Sequence, residues 1–229
     1  TRIKSENKIG ENEVYKEAYD LIKNAKGLVA TDYSIADVSR FATLSKLAKA
    51  VKRSFAIPAN NYYYLNYLQE RQLLPCGLDN VLIYHRLKTV YSEWEKELLQ
   101  KNKDICLVGP EEIRESQSRY LLGLGFYQIQ ELIDLKPEKG SMFFRASTEP
   151  HSEEMAISEE RFNNWIHFFG MSDPVRAHAS GHISGLELGE VMEILKPKLV
   201  IPIHTEYPEE FKKIAPNVML AEKGREYTF

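Results

Sequence analysis

The chain has 229 residues, of which 43% are hydrophobic and 28% charged, the balance of a soluble globular protein of one large or two small domains. Its formal net charge is −3, so no global basic field announces a nucleic-acid partner, although a local groove on an acidic protein can still be basic. No apolar run approaches the ~20 residues of a membrane span, the opening TRIKSENKIGENE has no signal-peptide core, and Cys76 and Cys106 form no CxxC pair, which together point to neutral thiols in the cytoplasm.

The first predicted element is a helix over 10–26, with Val14, Ala18, Leu21, Ile22 and Ala25 at helical spacing and Gly27 as its stop. A buried strand follows over 28–31, and Asp32 and Ser34 read as turn or cap residues. Residues 36–50 form an amphipathic helix, 54–58 a strand, 62–70 a helix and 81–84 a strand. A charged helix over 91–101 and a strand over 105–108 come next. Strands alternating with helices imply βαβ units and a parallel sheet. The fold class is therefore α/β, and the first domain spans 1–140, closed by the Pro137-Glu138-Lys139-Gly140 cluster.

The second domain, 141–229, continues the alternation. Strand 142–146, helix 152–169, strand 174–179, helix 186–195 and strand 199–203 are predicted in turn, and the tail carries one short helix and two short strands.

Four of the six histidines lie from His167 onward, and strand ends in α/β folds are where sites are built. His204 closes the strand LVIPI and is followed by Thr205 and Glu206, a fitting place for a metal ligand or an acid/base. His178-Ala179-Ser180-Gly181-His182-Ile183-Ser184-Gly185 reads as a strand-to-helix loop rather than a helical pair of ligands, because Ser180 and Gly181 disfavour a helix. Its glycines, hydroxyls and following helix N-terminus make a phosphate cradle with two imidazoles beside it. A Gly/Ser-rich turn with two incidental histidines is the competing reading.

Other groups are less specific. Ser152, Glu153 and Glu154 read as a helix cap, with a site role for Ser147 or Glu149 as the alternative. Tyr62, Tyr63, Tyr64 and Tyr67 fit core packing better than base stacking. Lys46, Lys49, Lys52 and Arg53 fit either phosphate contacts or a solvated helix end.

HASGH followed by a helix and PKLVIPIHTE resembles the C-terminal part of a β-CASP metallo-β-lactamase nuclease of the ribonuclease J kind. ATDYSIADVSRFATLSKLAKAVKRSFAI is similar to the opening of that family's β-CASP domain, and FFRASTEPHSEEM to its return into the lactamase fold. His182 precedes His204 by 22 residues, which suits the family's two late histidine motifs. The resemblance implies that 1–140 is the β-CASP domain and 141–229 the last part of the metallo-β-lactamase domain. It also implies a ribonuclease hydrolysing RNA phosphodiester bonds with two zinc ions, His204 ligating one of them. His182 then stabilises the transition state or protonates the leaving oxygen, and His178, Ser180 and Gly181 hold a substrate phosphate. Glu206 is placed as an orienting group behind the metal.

One departure stands out. The family's His-x-His-x-Asp-His motif is absent, and Thr1-Arg2-Ile3 resembles the segment that follows a family carboxylate. The resemblance therefore implies a fragment without its N-terminal lactamase half, weak or absent zinc and an inactive isolated chain. The expected partners are single-stranded RNA, the absent half and a second copy of the chain, with no membrane. A non-catalytic RNA-binding module and a lactamase-fold hydrolase of a non-nucleic substrate are the alternatives.

Overall fold

Seven short parallel strands form one sheet in the computed structural model, which describes residues 10–102, 107–147, 150, 152–176 and 183–228. The strands are β1 (Val29–Asp32), β2 (Ser54–Pro58), β3 (Val81–Tyr84), β4 (Leu107–Val108), β5 (Tyr120–Gly123), β6 (Met142–Arg145) and β7 (Ser172–Arg176). Their order is β4-β3-β2-β5-β1-β6-β7. The protein is α/β.

The helices are α1 (Glu11–Ile22), α2 (Val38–Ala50), α3 (Ala59–Glu70), α4 (Glu93–Asn102), α5 (Pro110–Glu115), α6 (Leu132–Leu135), α7 (Glu153–Phe168) and α8 (Gly185–Leu195). Side chains alternate across a strand, so each central strand feeds two cores. Val29, Phe55, Ile57, Ile83, Leu121 and Phe144 pack with α1, α2 and α3 on one face. Leu28, Ala30, Ala56, Leu122 and Phe143 pack with α5, α6 and α7 on the other. Cover on both faces explains why all four residues of β1 are buried.

From β1 to β4 the chain steps outward with α2, α3 and α4 on one face. It then returns to insert β5 between β2 and β1, and continues through β6 to β7 with α6 and α7 on the opposite face. A single hand of crossover accounts for both directions. The reversal means that the loops leaving β2 and β5 go to opposite faces, as do those leaving β1 and β6. Crevices at such points, beyond the C-terminal ends of the strands, are where open α/β sheets bind ligands.

The sequence reading assigns no element between 109 and 136, yet this stretch holds the central strand β5. The Pro137–Gly140 turn separates two strands of the same sheet. By contacts the chain divides at 179/180 rather than at 140/141, into Glu11–Ala179 and a second unit of Thr1–Gly10 with Ser180–Phe229. Gly27 does not end α1, which stops at Ile22. Its requirement is close approach, since a Cβ there would collide with Ser141 Oγ and the Ser141 backbone.

In the second unit, Leu188, Val200, Phe211 and Ala215 form a small core. The expected strand over 199–203 is reduced to one parallel bridge, Val200 with Val218, held by Val200 N to Asn217 O and Met219 N to Val200 O, each 2.9 Å. Pro202 has no N–H to extend the ladder. The two short strands expected in the tail are absent among the described residues, and Pro208–Lys213 is a 3-10 turn. No helix among the described residues is long and apolar enough to cross a membrane.

Candidate functional site

A cleft of about 250 Å³ opens at the C-terminal ends of β3, β2 and β5, where the connections part to opposite faces. Its polar groups are Asn60, Tyr84, Arg86, Lys88, Glu95, Gln128 and Glu131, with Trp94 at the rim. The Tyr84 hydroxyl donates to Glu131 Oε2 at 2.8 Å, and Arg86 Nη1 lies 3.8 Å from Glu131 Oε1. Glu95 is buried and pairs with Lys88. Burial raises the Glu131 carboxyl above its ordinary pKa, against the Tyr84 hydrogen bond and the Arg86 charge, which lower it. The Tyr84 phenol is raised as well, by burial first and by the Glu131 charge second. A buried acid coupled to a phenol at such a crevice can hold or pass a proton. The sequence reading missed these residues. The available signal was a polar-tipped tyrosine ending an apolar strand, with Arg86 two residues beyond it.

A second polar group lies at the ends of β1, β6 and β7. Asp32 Oδ1 accepts from Ala146 N at 2.8 Å and Ser147 N at 3.2 Å, and Oδ2 accepts from Ser147 Oγ at 2.7 Å. Arg145 Nε lies 2.8 Å from Asp32 Oδ2, an ion-pair distance without hydrogen-bond alignment. Arg176 donates to Ser147 O at 3.1 Å and pairs with Glu159. Two guanidiniums thus face two carboxylates. The group's evident work is to fix Ser147, where the chain leaves β6. The turn expected at Asp32 is an anchor 115 residues long in sequence. Ser152 is the cap of α7, accepting from Met155 N at 3.2 Å.

Beyond β7 the chain enters the segment expected to form the phosphate cradle. His178, Ser180, Gly181 and His182 lie outside the described residues. Ser184 is described, and it is a cap: its Oγ accepts from Glu187 N and donates to Glu187 Oε2, which also accepts from Ser184 N. The hydroxyl expected to join the cradle is therefore engaged at α8, and a carboxylate already occupies that helix start. His204 is exposed and has φ 55°, a left-handed conformation uncommon outside glycine but tolerated by histidine.

Three further expectations concern the tyrosine run, the basic cluster and the cysteines. Only Tyr62 of the tyrosine run is buried, while Tyr63, Tyr64 and Tyr67 are exposed and Tyr63 packs on Trp94 with ring centroids 5.1 Å apart. Lys46 lies over the Tyr15 ring. Arg53 is buried rather than part of a surface cluster, and it donates to the carbonyls of Ala25, Gly27 and Tyr120 at 2.5, 2.8 and 3.0 Å. Cys76 is a free, half-buried thiol whose pKa burial raises, and Cys106 lies outside the described residues.

Among the described residues no three His, Cys, Asp or Glu side chains gather to hold a metal ion. His204 is the one described residue at an expected ligand position, and His178 and His182 lie outside the described residues. No family model matches the chain, and comparison with curated proteins returns no match. The functional reading therefore stands on the chain's own motifs and on the crevices of its sheet.

Proposed function

We propose that this chain is the nucleic-acid-handling part of a metal-dependent nuclease that hydrolyses RNA phosphodiester bonds. The reading rests on the resemblance of HASGH and PKLVIPIHTE to the late motifs of β-CASP nucleases. The observation that carries it is the placement of strand β7. A parallel sheet delivers the chain from Arg176, at the C-terminal end of β7, directly into His178–His182, and the chain next enters a capped helix at Gly185. We read the residues between them, from their sequence, as a Gly/Ser loop whose backbone N–H groups and short side chains receive a phosphate. In this reading His178, Ser180 and Gly181 hold the phosphate, and His182 moves a proton at the leaving oxygen. His204 supplies one imidazole toward the metal, and a bound metal supplies charge neutralisation at phosphorus.

A second reading is that the chain binds RNA and does no chemistry. One experiment separates the two. The protein is expressed from its complete reading frame and assayed on 5′-labelled RNA, as wild type, His182→Ala and His204→Ala. The nuclease reading expects cleavage that falls at least about 100-fold in each variant. Binding without cleavage in the wild type overturns it in favour of the second reading.

A further inference from the structure

The N-terminal edge of the sheet carries a feature that neither reading uses. An open concavity of about 310 Å³ is lined by Lys49, Lys52, Arg53, Ser54, Asn80 and Arg119. Four of the six are cationic and none is acidic, in a chain whose net charge is −3. Lys49 lies in the last turn of α2, and Lys52, with φ 58°, turns the chain toward β2. Arg119 comes from the 3-10 turn before β5, and Asn80 precedes β3. The sheet order places the starts of β3, β2 and β5 side by side, which brings these distant residues together.

The charges are uncompensated. Lys49, Lys52 and Arg119 are exposed, and none has an ion pair among the described residues. Arg53 lies beneath them, 5% exposed, and its described partners are carbonyls rather than a carboxylate. Burial pulls its pKa down, the mark of a cation with no counter-charge. Lys49 alone would be explained by the negative end of α2. That explanation does not reach Arg119, which arrives from a different connection. Elsewhere on the surface lysines pair locally, as Lys23 does with Asp20, Lys96 with Glu93 and Lys213 with Glu210.

We propose that Lys49, Lys52 and Arg119, above the buried guanidinium of Arg53, form a phosphate-binding site at the N-terminal edge of the sheet. A multiply charged tetrahedral oxyanion answers several cations at once, and a single carboxylate would leave most of them unanswered. Asn80 and Ser54 add polar groups at the wall. The opening is wide, so the phosphate is a group carried on a larger molecule. Two sources share that chemistry, a nucleic-acid backbone and a free phosphorylated compound. The site does not depend on the nuclease reading and needs no metal.

The test uses the full chain in EDTA. Binding of a single-stranded 20-mer of uridine is followed by fluorescence anisotropy across a salt series, and binding of inorganic phosphate by phosphorus NMR. The variants are Lys49→Ala/Lys52→Ala/Arg119→Ala and a control of equal charge loss, Lys16→Ala/Lys101→Ala/Lys223→Ala. Arg53 is left intact, and circular dichroism checks the fold. If the triple variant melts early, Arg119→Glu alone replaces it. A backbone site predicts that RNA affinity drops roughly tenfold or more and that the salt slope shrinks by about 2, with the control unchanged. Loss of phosphate binding with RNA affinity intact assigns the site to a free phosphorylated compound. The proposal is overturned if the wild type binds neither probe, if the site variant matches the wild type on both, or if the control loses as much as the site variant.

Discussion

The Tyr84 hydroxyl donates to Glu131 Oε2 at 2.8 Å, joining the end of β3 to the connection that follows β5 across the crevice of the sheet. Both side chains are buried, so the hydrogen bond fixes the position of the acid, and it opposes the effect of burial on its protonation. Because burial raises the Glu131 pKa, the folded protein keeps that proton to higher pH than the unfolded chain does. The stability this contributes is fully present below the unfolded carboxyl pKa and is lost as pH rises through the folded value. Glu131→Gln keeps an acceptor for Tyr84 and removes the charge. Its stability relative to wild type should therefore improve from about pH 4 toward neutrality, read by urea denaturation at each pH. An offset independent of pH would contradict this account. Tyr84→Phe, which strips the carboxylate of its donor, should cost about 1–3 kcal/mol at neutral pH.

Arg53 and Lys49 are four residues apart in sequence and have different work. Arg53→Ala leaves the carbonyls of Ala25, Gly27 and Tyr120 without the donor that serves all three, a cost of about 3 kcal/mol or more. Lys49→Ala, at an exposed position, should fall within about 0.5 kcal/mol of wild type. Urea midpoints with unchanged slopes test both, and equal costs would mean that Arg53 is not the tie it is taken to be.

That contrast shows what was legible in the sequence. Periodicity and apolar runs located β1, β2, β3, β6 and the helices α2, α3 and α4 to within a few residues, because each buries a patterned face. They could not locate β5, whose four residues Tyr120–Gly123 lie between 3-10 turns and have no span in which a period can develop. Without β5 the sheet order is unreadable, and with it goes the crevice that gathers Tyr84, Arg86 and Glu131. The roles of Arg53 and Asp32 were hidden for a related reason. Their partners lie as far as 67 and 115 residues away, and no local spacing encodes such contacts. The histidine motifs were legible as residues, but His178 and His182 lie outside the described part, and Ser184 shows how a cradle hydroxyl and a helix cap look alike in sequence.

Asp32 offers a test of the network at the ends of β1, β6 and β7. It accepts from two backbone N–H groups and the Ser147 hydroxyl, and it faces Arg145, whose side chain is 12% exposed. Asp32→Ala leaves that guanidinium without its nearest counter-charge and should cost about 3–5 kcal/mol. Asp32→Asn retains one carbonyl acceptor for Ala146 and Ser147, and should recover roughly half of the loss. Thermal melts of the two variants give the comparison. If Asn is no better than Ala, the charge on Asp32 matters and its hydrogen bonds to the 146–147 turn do not.

The last prediction concerns zinc and follows from ligand counting. A catalytic zinc takes about three protein ligands and a two-metal centre takes more, because affinity comes from several donors held in place together. The sequence has no His-x-His-x-Asp-His segment, and no three His, Cys, Asp or Glu side chains gather among the described residues. The left-handed backbone of His204 fixes where its imidazole starts, but one imidazole exchanges metal freely however well it is placed. The purified 229-residue chain, dialysed against zinc and then against buffer, should retain well under one equivalent by elemental analysis. His204→Ala should change that retention little, and labelled RNA should stay intact. On the proposed nuclease reading, the same substitution in the protein expressed from its complete reading frame should release metal and abolish cleavage. Stoichiometric zinc on the 229-residue chain, lost on His204→Ala, would show that a full ligand set lies within these residues.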